Sequence, residues 1–409
     1  MVQIAYLIGN GFDIHLGLES KYQQFYGWLL KELDKEDNSE DKLFNVDNNE
    51  LVQEFLLHKD PWHIKNQNSN ITINWKDDDW ADFEASLLNN IRMLSKQDNA
   101  NEKVKKQIRN LQQVNKLLAY YLKQQTEIIE SKINFDICNI ELSLSQQFSK
   151  LPSEDFELIK NLLTQQFKKL PQKKQSGNIS FINFNYTFLL RQFINSRKII
   201  AIDGLHSILN FSNFNLNSKI YYPNGNFLDT PELGIGTKEE IPESLELTEN
   251  EINYLAKESF ARIKRDGRVN KISSLISEAD ITLIYGLSLG ESDDFYISKI
   301  MENLLKNENH VTIITYYNER YSTSELDIDL MDQVSNIKKR IVNSYLHICQ
   351  LKNISVPDDK RSLLNSVSNR ILVLFDHGLR KNEETNKLSF FPFSIKEQND
   401  NSNESSSKN

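Results

Sequence analysis

Apolar residues follow two patterns along this chain. The first is a set of short β-rich runs: VQIAYLIG (2–9), ISFINFNY (179–186), KIIAID (198–203), SKIYY (218–222), DITLIYGLSL (280–289), HVTIITYY (310–317) and RILVLF (370–375). Several are apolar without alternation, which fits parallel strands covered on both faces. Segments of helical character, at 20–33, about 250–278 and 292–306, separate some of them. Strand and helix alternating around one sheet predict an α/β fold. The second pattern fills residues 28–175. Between Gly27 and Gly177 there is no glycine, and only Pro61, Pro152 and Pro171 break the run. Val104, Ile108, Leu111, Leu118, Leu122 and Ile129 recur there at helical spacing among Lys, Gln and Asn. A helical insertion interrupting one α/β domain is expected. The division is 1–30 with 176–345 for the α/β domain, 31–175 for the insertion, 346–398 for an extension with one strand, and 399–409 for a polar disordered tail.

Composition narrows the class. A net charge of −9 argues against a protein that wraps duplex nucleic acid. Lys103, Lys105, Lys106 and Arg109, and the run Lys338-Lys339-Arg340, are basic, and amid acidic surroundings they read as solvated helix faces. Two cysteines, Cys138 and Cys349, make neither a disulfide framework nor a zinc cluster. No stretch has the apolar length of a membrane span. The first apolar run leads straight into a glycine loop and is expected to belong to the fold, in a cytoplasmic protein.

That loop concentrates three of the 13 glycines, Gly9, Gly11 and Gly17. Ile4 to Ile8 reads as a buried strand, and Gly9-Asn10-Gly11 turns the chain. Ser20 and Gln23 stand in capping-box relation, so a helix is expected from Lys21, burying Tyr22, Phe25, Tyr26 and Leu29. Strand, glycine turn and helix place amides at the carboxyl end of a sheet, where open α/β folds bind ligands. Glycine lets the backbone approach a phosphate. The dinucleotide fingerprint G-x-G-x-x-G fails, because its third glycine position holds Ile14. A turn that needs positive φ and binds nothing suits the same residues equally.

Five segments together resemble the AbiH family of bacterial abortive-infection proteins, which limit phage. They are G-N-G-F-D-x-x-x-G-L from Gly9, Trp80-Ala81-Asp82-Phe83-Glu84, Asn183-Phe184-Asn185-Tyr186-Thr187, Leu205-His206-Ser207-Ile208-Leu209-Asn210, and Tyr285-Gly286-Leu287-Ser288-Leu289-Gly290-Glu291-Ser292-Asp293. Ser207 and Leu287 depart from the family pattern, which has glycine and often histidine there. The same segments, in the same order, are similar to those of sirtuins and sirtuin-like NAD hydrolases. The resemblance implies a sirtuin-like Rossmann-type parallel sheet with a large helical insertion. It implies a nucleotide ligand, NAD, with Gly9, Asn10, Gly11, Phe12, Asp13, Gly17, Thr187, Gly286 and Ser288 around it. Asn185 would orient the nicotinamide ribose and His206 would act as base. A sirtuin zinc module is excluded by the cysteine count.

Physical reasoning weighs these positions separately. An asparagine at a strand end can bond ribose hydroxyls or cap the next helix, and the ligand role is preferred for Asn185. A neutral imidazole at 206 can take a proton from a ribose hydroxyl or water. His15 lies inside the glycine loop and could reach a phosphate. A carboxylate at Asp13 would repel a pyrophosphate and better braces the loop. Glu84 points along an apolar helix stripe with Leu87, Leu88 and Ile91, so it either bonds to the sheet side or enters a pocket. Ser292 suits an N-cap, with Asp293 and Asp294 in the first turn of the following helix. Three readings follow: an NAD-binding defence protein that cleaves the nicotinamide–ribosyl bond, a non-catalytic nucleotide sensor signalling through its insertion, and an effector on nucleic acid. A phage-derived trigger and a homo-oligomer are open partners; a membrane is not expected.

Overall fold

A computed structural model describes residues 1–33, 49–52, 81–132, 140–167, 176–194, 199–200, 213–264, 267–317 and 327–376. His206, Trp80, the carboxyl-terminal tail and most of the expected 198–203 strand lie outside the described residues.

Seven strands form one sheet: β1 (Val2–Ile8), β2 (Ser176–Asn183), β3 (Ile199–Ile200), β4 (Asn213–Tyr221), β5 (Ile281–Tyr285), β6 (Val311–Tyr317) and β7 (Ile371–Asp376), in the order β3-β4-β2-β1-β5-β6-β7. Every pairing is parallel except β3 with β4. This is the expected α/β fold with a mostly parallel sheet and many helices. The central strand shows why its sequence lacks alternation. Val2, Ile4, Tyr6 and Ile8 enter one core, while Ala5 and Leu7 enter another across the sheet. Period-two geometry sends alternate side chains to two covered faces, so every position from Ile4 to Ile8 is apolar. The first core includes Leu144 and Phe148 of helix Ile140–Ser149 and Ile159 and Leu163 of helix Ser153–Phe167. The opposite core is filled by helices Arg268–Ser277, Asp294–Lys306 and Asp327–Leu351. A third core joins helices Tyr22–Leu33, Ala81–Leu94 and Ala100–Glu130 to Tyr186 and to the 233–256 segment.

Several boundaries differ from those expected, each for a local reason. The 179–186 run starts earlier and ends at Asn183, whose side chain accepts from the Asn185 amide and donates to the Thr187 carbonyl. The strand at 280–289 stops at Tyr285 because Gly286 takes φ +61°. The helical stretch near 250–278 divides into Glu249–Leu255, Lys257–Ile263 and Arg268–Ser277. Ala256 is extended at the first break and bridges Ile235: Ile235 N donates to Leu255 O, and Lys257 N to Ile235 O. The capping box at Ser20 does not form. Ser20 Oγ donates to Asn10 Oδ1 at 2.6 Å, and Lys21 N finds Gln24 Oε1 instead. Ser292 lies in a short 3-10 turn, and the helix cap falls at Asp293, with no side-chain cap bond.

Candidate functional site

From β1 the chain passes to β2, to the edge strand β3 and back to β4 between them, then crosses to β5, β6 and β7 on the other side of β1. The reversal falls between β1 and β5, the switch point beside which ligands sit in open α/β sheets. Here the glycine turn meets its neighbours. Gly9 N donates to Tyr285 O and Gly11 N to Gly286 O, both at 2.8 Å, and Phe12 N to Gly9 O at 3.0 Å. A Cβ on Gly11 would stand 2.6 Å from the Gly286 Cα, and one on Gly9 would stand 2.4 Å from the Leu287 Cα. These glycines therefore let two backbone turns touch, and the amides of Gly9, Gly11 and Phe12 are engaged within the fold. Gly17 has another use. At φ +85° it ends helix Gly11–His15, with its amide on Ile14 O and the Leu18 amide on Asp13 O, a Schellman termination.

The first and third sequence motifs interlock beside this contact. Asn185 Nδ2 donates to Gly9 O at 3.0 Å, and Thr187 Oγ1 donates to Asp13 Oδ2 at 2.7 Å. Asp13 is fully buried, and burial pushes its carboxyl up to about 7 against the opposing bonds from Thr187 and Asn185. His15 Nδ1 meets the Tyr285 hydroxyl at 2.8 Å, and burial, with the charge of Lys150, lowers the imidazole to about 4. Asn10 is held by Ser20, its Nδ2 reaching Ser20 O at 3.3 Å. Gly9, Asn10, Gly11, Phe12, Asp13, His15, Asn185, Thr187 and Gly286 thus form one braced corner at the carboxyl end of β1.

Next to this corner, a cleft of about 290 Å³ is lined by Glu84 and Leu88, by Gly234–Gly236, by Glu240, by Ser288–Ser292 and by Arg340. Of the lining residues, Glu84 belongs to a buried ion cluster. Lys257 Nζ lies 2.9 Å from Glu84 Oε2 and 3.6 Å from Asp293 Oδ1. Glu84 Oε1 accepts from Gly234 N at 3.3 Å. All three side chains are at most 10% exposed. Burial alone would lower the lysine, but Glu84 and Asp293 hold it above its usual value. One cation faces two carboxylates, and burial raises Asp293 to about 6 despite Lys257. The buried Tyr186, from the third motif, feels Glu84 and Asp293, which add to burial in raising its hydroxyl. Glu240 is raised by burial, while its Oε2 accepts from the Thr237 amide at 2.9 Å.

Of the sequence-predicted residues, Glu84 and Ser288 line the cleft, and Asp293 is tied to Glu84 through Lys257. Glu84 combines both expected roles, bonding across to the 234 loop and facing the cleft. The placement of His206 lies outside the described residues. Lys257, Gly234, Gly236 and Arg340 were not singled out. The stretch ELGIGT carried a signal, two glycines close together in a glycine-poor chain. Lys257 had none. Arg340, read as part of a solvated basic face, instead bonds Leu289 O through Nε at 2.6 Å and lines the cleft. Lys338 likewise donates to Ser368 O, and Lys105 and Lys106 pair with Glu251 and Glu50. Among the described residues, no group of three or more His, Cys, Asp and Glu side chains could hold a metal ion. Among them, too, no helix is long and apolar enough to cross a membrane.

Compared with known families, residues 5–317 match the model described as bacteriophage abortive infection AbiH. No curated protein matches the chain. The match spans most of the sequence, so the chain belongs to the AbiH family, and membership indicates a role in abortive phage infection.

Proposed function

We propose that this AbiH-family protein binds a nucleotide, NAD, in the cleft beside β5 and hydrolyses it at the nicotinamide–ribosyl bond, so that infection ends with depletion of the cofactor. The observation that carries this reading is the position of the cleft. It opens at the carboxyl edge of a parallel sheet, next to the switch point, with Glu84 on its wall and a buried carboxylate pair beneath. The braced glycine corner has its amides at 9, 11 and 12 engaged, so the sugar and phosphates are assigned to the cleft and no step is routed through that turn.

The reaction asks for three things. As the C1′–N bond breaks, its electron pair leaves with nicotinamide and positive charge grows on the ribose. A carboxylate facing that carbon, Glu84, stabilises the charge in a partly desolvated site. Water attacks C1′ and must lose a proton. Glu84, which lines the cleft, is the carboxylate placed to accept it, with Asp293 behind it on the same Lys257. Asn185 serves as a positioning residue by holding the Gly9 carbonyl and hence the edge of the β5 turn.

A second reading, binding without turnover, draws on the same corner. Asn185 is 4% exposed and bonded within the fold, an arrangement that suits a fixed sensor. Incubating the protein with NAD, with and without extract of phage-infected cells, and measuring free nicotinamide separates the two. Release that is lost in Glu84→Gln and reduced in Asn185→Ala and His206→Ala supports hydrolysis. Binding with no release supports the sensor. Absence of both overturns the nucleotide reading.

A further inference from the structure

Arg340 lies on helix Asp327–Leu351, beyond the 5–317 segment that matches the family model, yet it forms part of the cleft wall. Its guanidinium is only partly engaged. Nε donates to Leu289 O at 2.6 Å, which aligns the plane along the 288–292 loop. The two terminal nitrogens make only long ion pairs, 3.9 Å to Glu291 and 3.8 Å to Asp294. Glu291 is 63% exposed, so that pair is weak and readily exchanged. Asp294 is already committed elsewhere: it accepts from Ser344 Oγ at 2.6 Å and meets His347 Nδ1 at 2.7 Å, which raises the imidazole above its usual value. Lys257, behind Glu84, is paired with Glu84 and Asp293. Among the described residues, the backbone amides of Ser288, Leu289 and Gly290 donate to no carbonyl. Leu289 itself takes φ +57°, which turns this stretch of backbone sharply beside the arginine.

We propose that Arg340 holds a phosphate or pyrophosphate group of the ligand in this cleft, as the residue that selects phosphorylated ligands; this deepens the nucleotide reading and rests on it. A planar guanidinium with one nitrogen fixed and two held only in long ion pairs presents a fork that matches phosphate oxygens. The carboxylates nearby do not oppose it equally. Lys257 offsets one of the two charges of Glu84 and Asp293, burial raises Glu240, Asp294 is bonded to Ser344 and His347, and Glu291 is exposed to solvent. Glu291 is therefore the direct competitor of the incoming anion for Arg340.

Calorimetric titration of the full chain with inorganic pyrophosphate tests this, with NAD titrated in parallel. Arg340→Gln is expected to weaken pyrophosphate binding about ten-fold or more. Arg340→Lys should recover part of the loss, and Lys338→Gln, whose amine bonds Ser368 O, should behave as wild type. Glu291→Gln should tighten binding about two-fold or more, a gain that a folding defect cannot imitate. No pyrophosphate binding by the wild type, equal binding by Arg340→Gln, or no gain in Glu291→Gln would each overturn the proposal. If pyrophosphate follows this pattern while NAD does not bind, the nucleotide reading fails and the phosphate site stands. If NAD binds Arg340→Gln as tightly as wild type, the phosphate site fails and the nucleotide reading stands.

Discussion

Replacing Lys257 with methionine removes the one cation from a buried cluster and keeps most of its volume. In the native arrangement the ammonium is 2.9 Å from Glu84 and 3.6 Å from Asp293, with the side chains 6%, 9% and 10% exposed. At an effective dielectric of about 20 the two attractions are worth about 6 and about 5 kcal/mol gross, most of which offsets desolvation of the three charges. Breaking such a cluster by removing one partner costs about 3–5 kcal/mol, because two carboxylates are left buried without a counter-charge. The cost also depends on pH. Asp293 already sits near 6 with Lys257 present, and without the cation its carboxyl rises further. A group raised in the folded state contributes stability at low pH that is lost as pH climbs through the folded value. The variant should therefore lose less stability at pH 5 than at pH 8. Denaturant unfolding of wild type, Lys257→Met, Glu84→Gln and the double variant, at both pH values, measures this. The double variant should recover a large part of the single lysine loss, giving a coupling above about 1 kcal/mol. A Lys257→Met variant within about 0.5 kcal/mol of wild type at both pH values would refute the cluster as the tie between helix Ala81–Leu94 and the 234 loop.

The braced corner yields further expectations. Gly286→Ala should cost about 3 kcal/mol or more, since φ is +61° and the new Cβ meets the Gly11 backbone at 2.6 Å; Gly27→Ala, within helix Tyr22–Leu33 and with open space around it, should stabilise by about 0.5–1 kcal/mol, both read by thermal unfolding. Asp13, raised to about 7, should lower stability by about 0.8 kcal/mol between pH 6.5 and 8, while His15 and His310, lowered to about 4, should each raise it by about 0.4 kcal/mol as the unfolded imidazoles lose their protons; wild-type stability should therefore change little there, and Asp13→Asn should gain about 0.8 kcal/mol relative to wild type across that window. Thr187→Val, which deletes the 2.7 Å bond to Asp13, should destabilise by about 1–3 kcal/mol at pH 8 and by less at pH 5, where Asp13 is protonated.

The sheet was legible from sequence because burial on both faces leaves apolar runs such as ITLIY with little ambiguity, and each of the seven strands overlaps one of the expected runs. Positions set by long-range pairing were harder to read. Ser20 fits a capping box locally, yet a tertiary bond to Asn10 takes its hydroxyl. Ala256 interrupts a helical pattern because Ile235, more than twenty positions away, offers it a bridge. Arg340 read as part of a solvated basic face and Lys257 gave no signal, since nothing in their neighbours announces that Glu84, Asp293 and Leu289 will come to meet them. The glycine loop was located correctly, but its glycines accommodate another backbone, a partner that sequence spacing cannot distinguish from a phosphate.

The central claim is that a nucleotide occupies the cleft beside β5. Hydrogen exchange of the full chain with and without NAD tests it most directly. Slower exchange confined to peptides covering the cleft lining, at 84–88, 233–241, 286–293 and around 340, and reduced in Arg340→Gln and Glu84→Gln, is the predicted result. Unchanged exchange there at saturating NAD, or protection appearing elsewhere in the chain, would contradict it.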